Sequence, residues 1–253
     1  MISKKYNMLH QPLVERIVSE ESDKGSKGCE KAVKTRLHQM FGAYVQGNAH
    51  KKAAALLQEM KEGKSVGEIS TAILALHAST KERLPYLADF CKFITDHTGQ
   101  IETMMDLGCG FNPFSIPYWG QQNLKAYHAY DIDTRTRDLI NDFFTQQDLP
   151  LTAACADLIA TTPTQKVDLA LLCKLLPVLE AQLQGRGYEL VRLLDAKIIV
   201  VTYPLKSLGG REKGMAKNYA ARFYKAQEEG ALGRYSVIDS REIGNELVYV
   251  LSY

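Results

Sequence analysis

The chain of 253 residues has no apolar run near the roughly 20 residues that cross a membrane as a helix; the longest, DLALLCKLLPVL, is already broken by Lys174. Its opening stretch, MISKKYNMLHQPLVERI, lacks the continuous apolar core of a secretory signal, so a soluble, cytoplasmic protein is expected. The five cysteines, Cys29, Cys91, Cys109, Cys155 and Cys173, are scattered, and no two have C-x-x-C spacing. That argues against a zinc site or a disulfide framework and for buried, reduced thiols. There are no internal repeats and no low-complexity tracts.

Charge is nearly balanced at a net +2, but it is unevenly spread. Residues 1–64 hold 12 lysines and arginines against 7 acids, and residues 203–225 hold 6 against 1, leaving the remainder acidic. Two basic segments on an acidic body fit a polyanionic partner, or two ordinary solvated faces.

Residues 1 to about 100 read as helices. PLVERIVSEE places Leu13, Ile17 and Val18 on one face, and EKAVKTRLHQMFGAYV places Val33, Leu37, Met40 and Phe41 at helical spacing. From about residue 101 short apolar runs alternate with helical stretches: ETMMDL, then 113–123; AYHAYD, then 134–147; LTAACA; VDLALLC, then 175–194; KIIVVTY, then 214–229; YSVID; and ELVYVLSY. Alternating strands and helices imply right-handed crossovers and a parallel sheet. The last two strands leave no room for a helix between them, so they form an antiparallel pair. The chain divides into a helical segment, 1–100, and an α/β segment, 101–253. The pattern is that of class I (Rossmann-like) methyltransferases: a mostly parallel seven-stranded sheet with an antiparallel last strand, here preceded by an all-helical N-terminal domain.

The turn Gly108-Cys109-Gly110 follows the first strand, at the carboxyl edge where doubly wound sheets hold ligands. A dinucleotide fingerprint needs a third glycine three residues on, where Pro113 stands, and a P-loop would run on into Gly-Lys-Ser/Thr, which this turn does not. S-adenosylmethionine remains. An acid at the strand end, Asp106, suits its cationic sulfonium, and Gly108 and Gly110 allow close backbone approach. Asp131 ends the second strand and can accept ribose hydroxyls; Asp157 follows the third and can accept an adenine amino group, with the Leu158 N–H donating to the ring. Each acid alone could be a helix cap or turn residue; three at successive strand ends after a glycine turn point to the cofactor.

Four stretches, LHASTKERLPYL (76–87), DLGCGFNP (106–113), CKLLPVLE (173–180) and SLGGREKGMAKNYAARF (207–223), together with the TRLHQMFGAYV helix (35–45), resemble one family: the aminoglycoside-resistance 16S rRNA guanine-N7 methyltransferases. The similarity runs from about residue 30 to the end of the chain. It implies a helical rRNA-docking domain on a methyltransferase domain, the assembled 30S subunit as substrate, a decoding-site guanine as target, and a monomer that meets no membrane. Guanine N7 carries an in-plane lone pair, and its methylation requires no proton removal. No catalytic base is then needed, in keeping with the lack of any Ser/His/Asp or Cys/His arrangement. Under the resemblance Ser79 and Arg83 lie near the methionine carboxylate, while Ser79 with Glu82 also reads as a capping box. His77 joins the cofactor set or is simply packed. Leu175 and Leu176 line the target pocket or belong to the core. Arg211 and Lys213 grip phosphates or the flipped guanine, unless their loop is only a connector. Lys27, Lys31, Arg36 and Lys81 face RNA. Three rivals differ in target or activity: an adenine-N1 methyltransferase of the decoding site, a non-catalytic rRNA-binding factor, and a small-molecule methyltransferase.

Overall fold

The computed structural model describes residues 6–42, 47–120, 123–205 and 215–253. Among these, seven strands form one sheet in the order β3-β2-β1-β4-β5-β7-β6. The strands are β1 (Thr103–Leu107), β2 (Ala126–Asp131), β3 (Thr152–Cys155), β4 (Lys166–Cys173), β5 (Asp195–Pro204), β6 (Ser236–Ile243) and β7 (Glu246–Ser252). β1 to β5 are mutually parallel, and β7 runs antiparallel to both β5 and β6. All seven apolar runs are strands, and the order reverses between β1 and β4. That switch point opens a crevice at the carboxyl ends of the central strands.

Alternation along the strands sorts the core into two layers. Met104, Tyr127, Leu169, Leu171 and Val200 face one side. There they meet the apolar stripes of α3 (Ala49–Lys61), α4 (Val66–Leu74), α6 (Leu87–Thr98) and α7 (Thr134–Gln146). Met105, Leu107, Ala170, Leu172 and Val201 face the other side. They pack on α8 (Leu176–Gln182), α9 (Arg186–Leu193) and α10 (Met215–Glu228). α1 (Gln11–Glu20) and α2 (Gly25–Leu37) form a third, separate core through Leu13, Val14, Ile17, Val33 and Leu37. The helical half therefore has two parts: α3, α4 and α6 share the core of the sheet, whereas α1 and α2 close on each other.

The α1–α2 pair is stitched to the loop after β2 by backbone bonds: His10 N–H to the Ile132 carbonyl at 2.8 Å and Thr134 N–H to the Met8 carbonyl at 2.8 Å. Two expected helices differ in detail. Residues 112–118 form a 3₁₀ helix containing Pro113 and Pro117, since proline withholds the donor an α-helix needs. The stretch 175–194 splits in two: α8 ends at an extended Leu183, and Gly185, with φ 84°, is the cap from which α9 starts. Among the described residues no helix is long and apolar enough to cross a membrane.

Candidate cofactor cleft

The glycine turn leaves β1 with Gly108 at φ 64° and Gly110 at φ 51°, the left-handed region that favours glycine. Space as well as conformation requires them. A Cβ on Gly108 would lie 2.8 Å from Leu175 Cδ1, and one on Gly110 would lie 2.9 Å from His77 Nε2. Leu175 follows β4 and His77 precedes α5 (Ala78–Arg83), so the turn is clasped from two directions. Gly110 N–H donates to Asp131 Oδ2 at 2.8 Å, and Asp133 N–H donates to Oδ1 at 2.9 Å. These bonds fix the Asp131 carboxylate at the end of β2. Burial raises its pKa, and the two backbone donors oppose that rise.

His77, Ser79, Arg83, Gly108, Gly110, Asp131, Asp157, Leu158 and Leu175 line one cleft at the switch point. Asp106 lies beneath it, fully buried. Its Oδ2 accepts from Asn112 Nδ2 at 2.7 Å and from Tyr127 Oη at 2.8 Å, while Oδ1 has no hydrogen-bond partner among the described residues. Burial pushes the Asp106 pKa up to about 6 against those two donors. Asp106 is not on the cleft wall; its partner Asn112 is. Leu176, read as pocket or core, is core.

Arg83, expected near the methionine carboxylate, lines the cleft with its guanidinium already paired. It is 4% exposed; its Nε and Nη2 donate to the Glu246 carboxylate at 2.9 and 2.8 Å, and its Nη1 donates to Asn112 Oδ1 at 2.9 Å. Glu246 also accepts from Thr202 Oγ1 at 2.7 Å and faces Lys174 Nζ at 3.6 Å. Burial alone would raise the Glu246 carboxyl; the charges of Arg83 and Lys174 overcome it and hold the pKa below its ordinary value. A polar chain thus runs beneath the cleft from Tyr127 through Asp106, Asn112 and Arg83 to Glu246. The expected capping box is not formed: α5 starts after His77 without a side-chain cap, and Thr80 Oγ1 bonds the carbonyls of Leu74 and His77 instead. Burial, then the charges of His50, Arg83 and Lys174, push the His77 pKa down to about 4. The ring is neutral near pH 7 and packs on Phe111 at 5.3 Å between centroids. No group of three or more metal-ligating side chains occurs among the described residues.

The described candidate RNA residues lie on two helices, α2 and α5. Lys27 and Lys31 are exposed on α2, and Lys81 is exposed on α5. Arg36 is not free: it bonds Glu20 at 2.6 Å, Glu21 at 3.1 Å and Gln182 at 2.9 Å. Arg211 and Lys213 lie outside the described residues. The cleft also includes residues that sequence reasoning did not assign. Asn112 and Lys174 are among those that stand inside the family-like stretches. Leu13, Met40 and Phe41 come from the N-terminal helices, where helical periodicity marks them only as core.

The strand order, the glycine turn after β1 and the acids at the end of β2 and just after β3 define a class I, Rossmann-like methyltransferase fold. The chain matches the family described as "Ribosomal RNA methyltransferase (FmrO)" over residues 2–250, and it belongs to that family. It is 37% identical over 253 residues to the 16S rRNA (guanine(1405)-N(7))-methyltransferase of Serratia marcescens, covering 99% of this chain and 94% of the relative. To the enzyme of the same name from Micromonospora rosea it is 36% identical over 227 residues, 87% of this chain and 81% of the relative. Among solved structures it is similar to the 16S rRNA methyltransferase RmtF in complex with S-adenosyl-L-homocysteine, with TM-score 0.87 and 36% identity over 98% of this chain and 92% of that one. It is similar also to the 16S rRNA methylase RmtB, with TM-score 0.83 and 32% identity over 99% and 93% of the two chains.

Proposed function

We propose that this protein transfers a methyl group from S-adenosylmethionine to N7 of guanine 1405 of 16S rRNA in the assembled 30S subunit, and so confers resistance to aminoglycosides of the kanamycin and gentamicin groups. The observation that carries the reading is the switch-point cleft with its clasped glycine turn, in a chain so similar over its whole length to a relative named for that reaction. The residues fit the cofactor: a cradle a Cβ would fill, a fixed carboxylate at the end of β2, and a second carboxylate with a neighbouring backbone N–H after β3. When bound, S-adenosylmethionine supplies an electrophilic methyl carbon on a sulfonium.

In this reading Asp131 binds the ribose hydroxyls, and Asp157 and the Leu158 N–H bind adenine. Ser79 and Arg83 face the methionine carboxylate, with Glu246 orienting Arg83. Leu175 flanks the turn and excludes water. Guanine N7 attacks with its own lone pair, so the chain need only align it and hold no proton. Residues 101–253 form the catalytic domain, and the helices of residues 1–100 dock rRNA. The test is to incubate the protein with labelled S-adenosylmethionine and either intact 30S subunits or naked 16S rRNA. Label entering 30S subunits is expected; label in neither would refute the reading, and label only in naked rRNA would refute the 30S part of it.

Asp131→Ala is expected to weaken cofactor affinity by roughly 1.5–3 kcal/mol, the range for hydrogen bonds to a charged group. Calorimetry on a folded variant checks this, and unchanged affinity would remove Asp131 from the site. Charge removal at Lys27 and Lys31 together is expected to weaken 30S binding and flatten its salt dependence while leaving cofactor affinity intact, because such contacts act through phosphates. An unchanged salt slope would show that this face does not dock RNA.

A further inference from the structure

The Asp157 carboxylate is held by a residue from the far end of the chain. Arg16 of α1 donates through Nε to Asp157 Oδ2 at 2.6 Å and through Nη2 to Oδ1 at 3.2 Å. The pair is partly buried, with side-chain exposures of 19% for Arg16 and 5% for Asp157. Asp157 lies on the cleft wall, and Leu13, one turn before Arg16 on α1, lies there too, but Arg16 itself does not. The guanidinium therefore holds a carboxylate of the cleft wall without itself lining the cleft. A carboxylate has about four acceptor positions. Arg16 takes one on each oxygen and Ile159 N–H takes a second on Oδ1 at 3.0 Å, which leaves one on Oδ2.

We infer that Arg16 is a positioning residue for the cofactor: by orienting Asp157 it makes the α1–α2 pair part of the cofactor site, and it links cofactor binding to the docking of those helices on rRNA. The inference rests on the assignment of Asp157 to the adenine amino group. The same segment is held from its other side by Arg186 of α9, which donates to the carbonyls of Leu158 at 2.8 Å and Thr161 at 2.9 Å. The two arginines differ in what they are attached to. Arg186 sits on a helix packed on the sheet through Leu190 and Val191, whereas Arg16 sits on a helix whose apolar face closes on α2. From Arg16 the chain of charges continues outward: Nη1 to Glu20 at 2.7 Å, and Glu20 to Arg36 on α2 at 2.6 Å. α2 also carries Lys27 and Lys31. Whatever shifts α1 and α2 on an RNA surface shifts the group that orients Asp157, and by linkage the effect runs equally in both directions.

The test measures S-adenosylhomocysteine affinity by calorimetry for the wild type, Arg16→Met, Arg16→Lys, Asp157→Asn and the double variant Arg16→Met/Asp157→Asn. Arg16→Met is expected to raise Kd about tenfold, the scale of a lost charge-assisted contact. Arg16→Lys should recover part of this, and in the Asp157→Asn background Arg16→Met should add nothing. Wild-type affinity in Arg16→Met alongside weakened binding in Asp157→Asn would overturn the role of Arg16. Additive effects of the two substitutions would do the same. Wild-type affinity in Asp157→Asn would instead overturn the adenine assignment. In a second arm, saturating S-adenosylhomocysteine is expected to tighten 30S binding of the wild type but not of Arg16→Met. Equal 30S affinity with and without it in the wild type would overturn the linkage.

Discussion

Glu246→Ala is expected to cost about 3–5 kcal/mol of folding stability, because it strands a buried cation. Arg83 is 4% exposed and spends two of its three nitrogens on Glu246. Lys174 Nζ, 3.6 Å from the same carboxylate, would lose a partner as well. A loss of that size is a large fraction of the total stability of an ordinary domain, so the variant should unfold at much lower denaturant concentration. Glu246→Gln should fall between the two, since it keeps an acceptor but not the charge. The same pair sets a pH dependence. With its folded pKa held below the ordinary 4.5, Glu246 contributes stability that is fully present above that value and is lost as pH falls through the folded pKa. Denaturant titrations at several pH values check both statements. A wild-type midpoint for Glu246→Ala would show that the carboxylate does not support Arg83.

Arg211→Ala is expected to abolish most methylation, by roughly a hundredfold or more if the residue stabilises only the reacting arrangement. A stacked guanine cannot present N7 to a cleft at a sheet edge, so it must be drawn out, at a cost of a few kcal/mol that protein contacts offset. The basic, glycine-rich segment around Arg211 follows β5, whose end at Pro204 is on the same carboxyl edge as the cleft. A guanidinium suits a phosphate or the guanine O6 edge better than an ammonium does, so Arg211→Lys should rescue only in part. Cofactor affinity should be unchanged and 30S affinity modestly reduced. These three quantities are to be measured on one preparation, and near-normal methylation would assign base positioning elsewhere.

The seven strands were legible because β4 and β5 are continuous apolar runs and β1 follows the change from helical to strand-like pattern at about residue 101. The cleft was legible where its residues sit at strand ends: Gly108, Gly110, Asp131 and Asp157. It was illegible where a side chain serves a partner far away in the chain. Glu246 pairs with Arg83 across 163 positions, and Asp157 pairs with Arg16 across 141, and no local period encodes either. Helical spacing marked Leu13 and Leu37 as buried but could not show that their helices form a core apart from the sheet. Asp106 was read as touching the cofactor because it ends a strand beside the glycine turn. Its burial, with Tyr127 and Asn112 on one oxygen, depends on the register of β1 against β2 and on the 3₁₀ turn, which are tertiary features.

The most direct measurement is to map the modified nucleotide. Purified 30S subunits are treated with the protein and S-adenosylmethionine, and their 16S rRNA is subjected to reduction and aniline cleavage, which breaks the chain at N7-methylguanosine. A single new cleavage at guanine 1405, absent without cofactor, is the predicted result. No new cleavage at guanine 1405, or a new cleavage at a different guanine, would contradict the account.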